Sequence, residues 1–172
     1  MKRHAPHEDE VASPYGEAFY HSQVYGAYRS AAPYVKHLSK ILQPQSVVDL
    51  GCGRGAWLKA FRDSGAAQVV GYDGSWNRQE NMIDPAVQFR QADLSEGIAN
   101  PKNERFDLAI SLEVGEHLPE CSAPTLVCSL TQFSDAVMFG AAFTSQGGTS
   151  HINEQPPTYW AAIFATFDYA PY

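Results

Sequence analysis

Four acidic side chains stand where short apolar runs give out: Asp49 in VVDLGCGRGAW, Asp73 in VVGYDGSW, Asp93 in FRQADLSE and Glu113 in FDLAISLEVGEHLPE. Behind the first of them, Gly51, Gly53 and Gly55 occupy alternate positions. Bare backbone of that kind turns tightly and approaches a ligand with no side chain between them. A helix starting there aims its free N–H groups at the same spot. Glycines alone leave the ligand open, because Gly51, Gly53 and Ala56 also fit the G-x-G-x-x-A of a dinucleotide site. The acids narrow the choice. A rim of carboxylates suits a ligand with a positive charge and several hydroxyl or amine donors, and suits a pyrophosphate poorly. Asp73, about 20 residues beyond the glycines, stands where an acid reaches ribose hydroxyls.

These residues need elements to hold them. Ser46–Leu50, Gln68–Tyr72, Val87–Arg90, Phe106–Ser111 and Asp135–Phe139 read as five short buried strands. Between them, Arg54–Ser64, closed by Gly65, and Pro119–Phe133 read as helices, and Thr158–Phe167 as a last one. Ahead of the strands, two helical pieces are expected, Glu17–Ser30 and Pro33–Leu42, with Pro33 opening the second. Strands alternating with helices imply right-handed crossovers and a parallel sheet covered on both faces. Ligands of such sheets sit beyond the carboxyl ends of the strands, at the switch point, which is where the four acids fall.

Composition excludes several classes. The 172 residues suffice for one compact domain, 44% of them apolar and 18% charged. A net charge of −7 and the lack of a Lys/Arg cluster argue against a nucleic-acid partner. Three scattered cysteines fit a reducing compartment better than a disulfide scaffold. No apolar run is long enough for a membrane span, and MKRHAPHEDE has no apolar stretch behind its basic residues. The expected location is the cytoplasm, with residues 1–14 a disordered tail.

S-adenosyl-L-methionine has the ammonium, ribose, adenine amine and sulfonium that the acidic rim asks for. The four quoted motifs, in this order and spacing, resemble those of the class I S-adenosylmethionine-dependent methyltransferases over Ser46 to about Phe139. The flanks FYHSQVYGAYRSA and GGTSHINEQPPTYWAAIF look like a bacterial subgroup with an H-x-N-E-Q segment after the fifth strand. The resemblance implies an α/β, Rossmann-like doubly wound sheet, mostly parallel, with helices on both faces. It implies that Gly51 and Gly53 pack on the methionine portion, Asp49 orients its ammonium, and Asp73 holds the ribose diol. Asp93 would accept from the adenine amine with Leu94 against the ring, Trp76 would stack on adenine, and Glu113 would complete the rim. Residues 15–44 would form a helical cap, with Tyr20 or Arg29 facing the pocket and Arg29 meeting the cofactor carboxylate. Residues 45–172 would form the cofactor domain. Each has a plainer reading: Asp49 and Asp93 as turn or helix caps, Trp76 and the N-terminal aromatics as packing.

Transfer to a hydroxyl also needs a base, and His117 and His151 are the candidates. A helix-cap or packing role competes for His117, and a self-bonded loop around His151, Asn153, Glu154 and Gln155 competes for the other. A metal held by Glu116, His117, His151 and Glu154 lacks a repeated ligand motif, and none is expected. The acceptor is expected to be a small molecule, with O- or N-methylation both open. A non-catalytic cofactor-binding remnant and a nicotinamide-dependent oxidoreductase are the alternatives. The family's sheet has two further C-terminal strands, which this chain is expected to lack. Truncation, a homodimer or partner covering the open edge, and folded-over N-terminal helices are three explanations.

Overall fold

The computed structural model describes residues 17–172, with side chains from Tyr25 onward. The expected tail, and the side chains of Tyr15, Phe19 and Tyr20, lie outside the described residues. Five parallel strands make one sheet: β1 (Ser46–Leu50), β2 (Gln68–Asp73), β3 (Gln88–Gln91), β4 (Leu108–Leu112) and β5 (Val137–Gly140). Their order is β3-β2-β1-β4-β5. The chain reverses direction of travel between β1 and β4, so the crevice that a ligand enters opens at the carboxyl ends of those two strands.

Helices α1 (Glu17–Leu38) and α2 (Ala56–Asp63) cover one face, and α3 (Ala123–Phe133) and α4 (Pro157–Ala165) the other. Alternation along β1 divides the core between them. Val47 packs with Ala31, Val35, Leu58 and Phe61. Val48 and Leu50 pack with Leu126, Leu130, Phe133 and Trp160. The central strands β1, β2 and β4 are therefore buried on both faces, as continuous apolar strands require. Strands β3 and β5, expected to be buried, are partly exposed because they lie at the sheet's edges. No described helix is long and apolar enough to cross a membrane.

The structure corrects two of the expected helices. Residues 17–38 form one α-helix that runs through Pro33 instead of two pieces separated by it. Proline removes a hydrogen bond and crowds the preceding turn. Here that cost is outweighed because Ala31 and Val35 are fully buried against α2, while Pro33 faces solvent. Tyr28 also donates its hydroxyl to Asp63 at 2.6 Å, tying α1 to the end of α2. The second correction is at α3. It begins at Ala123, after a 3-10 turn over Glu120–Ser122, because proline at 119 leaves extended backbone before the chain can coil. Gly65 does close α2, in the left-handed region at φ 110°, with its N–H bonded to Arg62 O.

Candidate cofactor and acceptor site

The glycine turn is fastened to the end of β2. Gly51 and Cys52 both donate their N–H groups to Tyr72 O, at 2.8 and 3.0 Å. Gly51 and Gly53 have φ of 93° and 52°, a region that side chains disfavour. Gly51 also has no room for one, since a Cβ there would stand 2.2 Å from Val114 Cγ2. That close approach brings the turn after β1 against the turn after β4. Gly53, by contrast, faces open space, so a ligand can approach its Cα with no side chain between them.

Asp73 ends β2 beside this opening. Its Oδ2 accepts the Gly53 N–H at 2.6 Å and its Oδ1 accepts the Gly74 N–H at 2.7 Å. The Asn77 amide donates to Gly53 O, clamping the turn from its far side. Burial pushes the Asp73 carboxyl up, and the Gly74 and Gly53 N–H groups pull it back. Asp49 lies on the neighbouring strand, opposite Gly71, and is only 3% exposed. Burial holds its carboxyl well above the usual range, and the charge of Asp73 adds to the shift. Two buried acids, coupled and short of positive charge, fit a ligand that brings an ammonium or sulfonium.

Asp93 follows β3 and is exposed; its Oδ1 accepts the Ser95 hydroxyl at 2.6 Å and the Ser95 N–H at 2.9 Å. Those bonds, the hydroxyl's first, hold it below the usual carboxylate range. Leu94 is buried in the core on the α3 and α4 side. Trp76 is 78% exposed, with its indole lying over Gly74. Arg29 is exposed on α1. Glu113 is exposed and left-handed at φ 58°, with its N–H bonded to Gly140 O. Partial burial raises its carboxyl, and the charge of Glu116 adds to that. In space the four acids follow the strand order: Asp93, Asp73, Asp49, Glu113.

A second cluster follows β4, two strands over from β2. After β4 the chain makes a 3-10 turn over Gly115–His117. Gly115 is required there, because a Cβ would lie 2.7 Å from the Trp160 ring. The carbonyl of Glu116 accepts N–H groups from Ile152 and Asn153, at 2.9 and 3.1 Å, strapping the later loop onto this turn. That strap brings His117 and His151 together, with ring centroids 4.9 Å apart and edge to face. The Nδ1 of His117 is 3.2 Å from Ser150 O, and the Nδ1 of His151 is 3.0 Å from Glu154 Oε1. Glu154 is occupied as an acceptor, taking N–H groups from Ser145 and Gly147 at 2.9 and 2.8 Å. The His151 contact, first, and these N–H bonds hold its carboxyl below the usual range.

Asn77 and Gly71 are site residues that sequence reasoning missed. Asn77 is an ordinary polar residue of a turn, and its part in holding Gly53 depends on a contact across 24 positions. A Cβ at Gly71 would stand 2.6 Å from Cys52 Sγ. Only the register of β1 on β2 reveals why that strand position is bare.

A parallel sheet with a glycine turn at the switch point, acids on successive strand ends and a polar cluster opposite defines a class. The chain belongs to the methyltransferase domain family, whose model matches residues 20–135. It is 28% identical over 130 residues to the ubiquinone biosynthesis O-methyltransferase of Neisseria meningitidis serogroup C, an alignment covering 72% of this chain and 51% of that protein. The protein of the same name from Pseudomonas entomophila is 30% identical over 131 residues, covering 71% of this chain and 50% of the relative. The chain thus spans about half the length of the curated relatives it matches. Among solved structures, the magnesium protoporphyrin IX methyltransferase of Synechocystis PCC 6803, with bound SAH, shares the fold. The TM-score is 0.65 at 18% identity, over 92% of this chain and 80% of that one.

Proposed function

We propose that this chain transfers a methyl group from S-adenosylmethionine to a hydroxyl oxygen of a small molecule. The observation that carries the reading is Asp73, fixed by two backbone N–H bonds beside the open face of Gly53. A carboxylate so held keeps lone pairs directed at a vicinal diol such as ribose, in a charge-assisted pair of bonds. Asp49 supplies the negative charge for the amino end. The bound cofactor contributes an electrophilic methyl on a sulfonium centre. The chain's work is to align the acceptor, exclude water and take a proton.

The second cluster supports the acceptor side. A carbonyl accepts only, so the contact with Ser150 O requires the hydrogen of His117 on Nδ1. The bonded carboxylate of Glu154 does the same for His151. In the neutral tautomer that these contacts select, each Nε2 carries the lone pair. His151, its ring oriented by Glu154, is placed to take the acceptor's hydroxyl proton on Nε2. The names of the curated relatives favour oxygen over nitrogen as the acceptor atom. The segment His151–Gln155 supports the bacterial subgroup reading, because its polar groups close on the 3-10 turn after β4 and on one another.

The test is methyl transfer from labelled cofactor to a panel of phenols, catechols, sugars and amines, beside calorimetry with S-adenosylhomocysteine and with NADH. Binding of the first and labelling of a hydroxyl acceptor are expected. Binding without any labelling would favour the non-catalytic remnant. NADH binding alone would return the site to the oxidoreductases.

A further inference from the structure

Glu116 is fully buried, and neither of its carboxylate oxygens accepts a hydrogen bond from an N–H or hydroxyl; its polar neighbour is a second acid, Glu113. A bare carboxylate in that position is costly unless something arrives to meet it. Its neighbours indicate what that is. One ligating atom each from Glu116, His117 and His151 falls within 4.8 Å of the others. Donors sharing one ion at about 2.1 Å stand roughly 3.0–4.2 Å apart, so a movement of well under about 1 Å would close the set.

We propose that Glu116, His117 and His151 form a site for a divalent first-row metal ion at the acceptor side of the crevice. Four features besides proximity make it a built site. Each imidazole has its Nδ1 engaged by an oxygen, Ser150 O for His117 and Glu154 Oε1 for His151, which leaves Nε2 as the nitrogen able to ligate. His151 and Glu154 reproduce the carboxylate–histidine pair that orients a ligand and raises its basicity. The backbone strap from Glu116 O to Ile152 and Asn153 holds the ligand-bearing segments together before any ion arrives. A Cβ on Gly148 would lie 2.3 Å from the His151 ring, so the loop also closes over that imidazole.

Two imidazole nitrogens and one carboxylate suit zinc, cobalt, iron or manganese better than magnesium, which prefers oxygen. Three protein ligands leave coordination positions free. An acceptor with two adjacent hydroxyls, a catechol or a cis-diol, fills two of them as a chelate. This acceptor class rests on the methyltransferase reading; the ion site itself does not. With the ion seated, the two Nε2 lone pairs are engaged. The acceptor's hydroxyl, bound to the ion, then loses its proton to solvent water instead of to His151. Its oxygen forms the new bond to the methyl carbon as the carbon–sulfur bond breaks.

The experiment uses chelator-treated full-length chain titrated with cobalt(II), read by visible absorption, and with zinc(II), read by calorimetry. One ion per chain is expected. Affinity should fall at least 100-fold in His117→Ala and in Glu116→Gln, and about 10- to 100-fold in Glu154→Gln, which removes the support and not a ligand. S-adenosylhomocysteine affinity measured on the same variants should stay within about twofold, which also certifies that they fold. Cobalt binding that survives both ligand changes, or no stoichiometric binding while S-adenosylhomocysteine still binds, overturns the site and leaves the methyltransferase reading standing. Failure to bind either ligand overturns both. Equal labelling of a catechol and its monohydroxy analogue by the metal-loaded protein would sink the chelating acceptor.

Discussion

At the scale of single residues, Asp73 and Asp49 make separable predictions. Replacing Asp73 with alanine removes a charge-assisted contact and unties Gly53. It should weaken S-adenosylhomocysteine binding about 10- to 100-fold, from roughly 1.5–3 kcal/mol; calorimetry giving unchanged affinity would show that the ribose lies elsewhere. Asp49 has a folded-state carboxyl raised above its unfolded value of about 3.9, through burial first and the charge of Asp73 second. The folded state therefore binds the extra proton. Its contribution to stability is full below the unfolded value and is lost as pH rises through the raised one. At neutral pH the ligand-free protein carries that loss, which a cation in the crevice offsets. Asp49→Asn should accordingly melt higher than the parent at neutral pH without ligand, the gap shrinking towards acid. The same change should weaken S-adenosylhomocysteine binding. Thermal melts across pH, with and without ligand, check both halves; a lower ligand-free melting temperature at neutral pH contradicts the account.

At the scale of elements, α1 is informative because local preference and tertiary contact disagree. Pro33 sits inside a continuous helix and faces solvent. Proline costs about 3 kcal/mol in a helix interior, partly offset by the 0.4–1 kcal/mol it saves in the unfolded chain. Pro33→Ala should stabilise the protein by about 1 kcal/mol or more, a rise of some 2–4 °C for a chain of this size, seen by calorimetry. A fall would mean that α2 needs the bend that proline imposes. The contacts of α1 that decide this are long-range: the burial of Ala31 and Val35, Tyr28 with Asp63, and Tyr34 edge-on to Trp57 at 6.0 Å. A local reading of Pro33 as a helix start had no access to them.

For the whole molecule, the sheet separates two apolar layers, each with a fully buried phenylalanine ring. Phe61 anchors the α1 and α2 side and Phe133 the α3 and α4 side, both 1% exposed. Either ring truncated to alanine should cost about 3–5 kcal/mol. They share no cluster, so the losses should add. The sum approaches the whole stability of a typical domain, about 5–15 kcal/mol. Urea denaturation should find each single variant folded with a lowered midpoint and the double variant largely unfolded in water. A double variant no weaker than the worse single would mean that one layer alone holds the fold.

The sequence by itself determined the strand-and-helix alternation, the parallel sheet and the place of each acid at a strand end. Those features follow from local periodicity, glycine turns and the fixed hand of crossovers, none of which needs a distant residue. It also singled out His117 and His151, from residue type and their places after the fourth and fifth strands. Only the tertiary structure decided that α1 runs through Pro33, that Asn77 clamps Gly53, and that Glu116 lies buried and unpaired beside two oriented imidazoles. Each of those depends on segments brought together across 24 to 38 positions or by helix packing, and a contact between distant segments leaves no periodic trace along the chain.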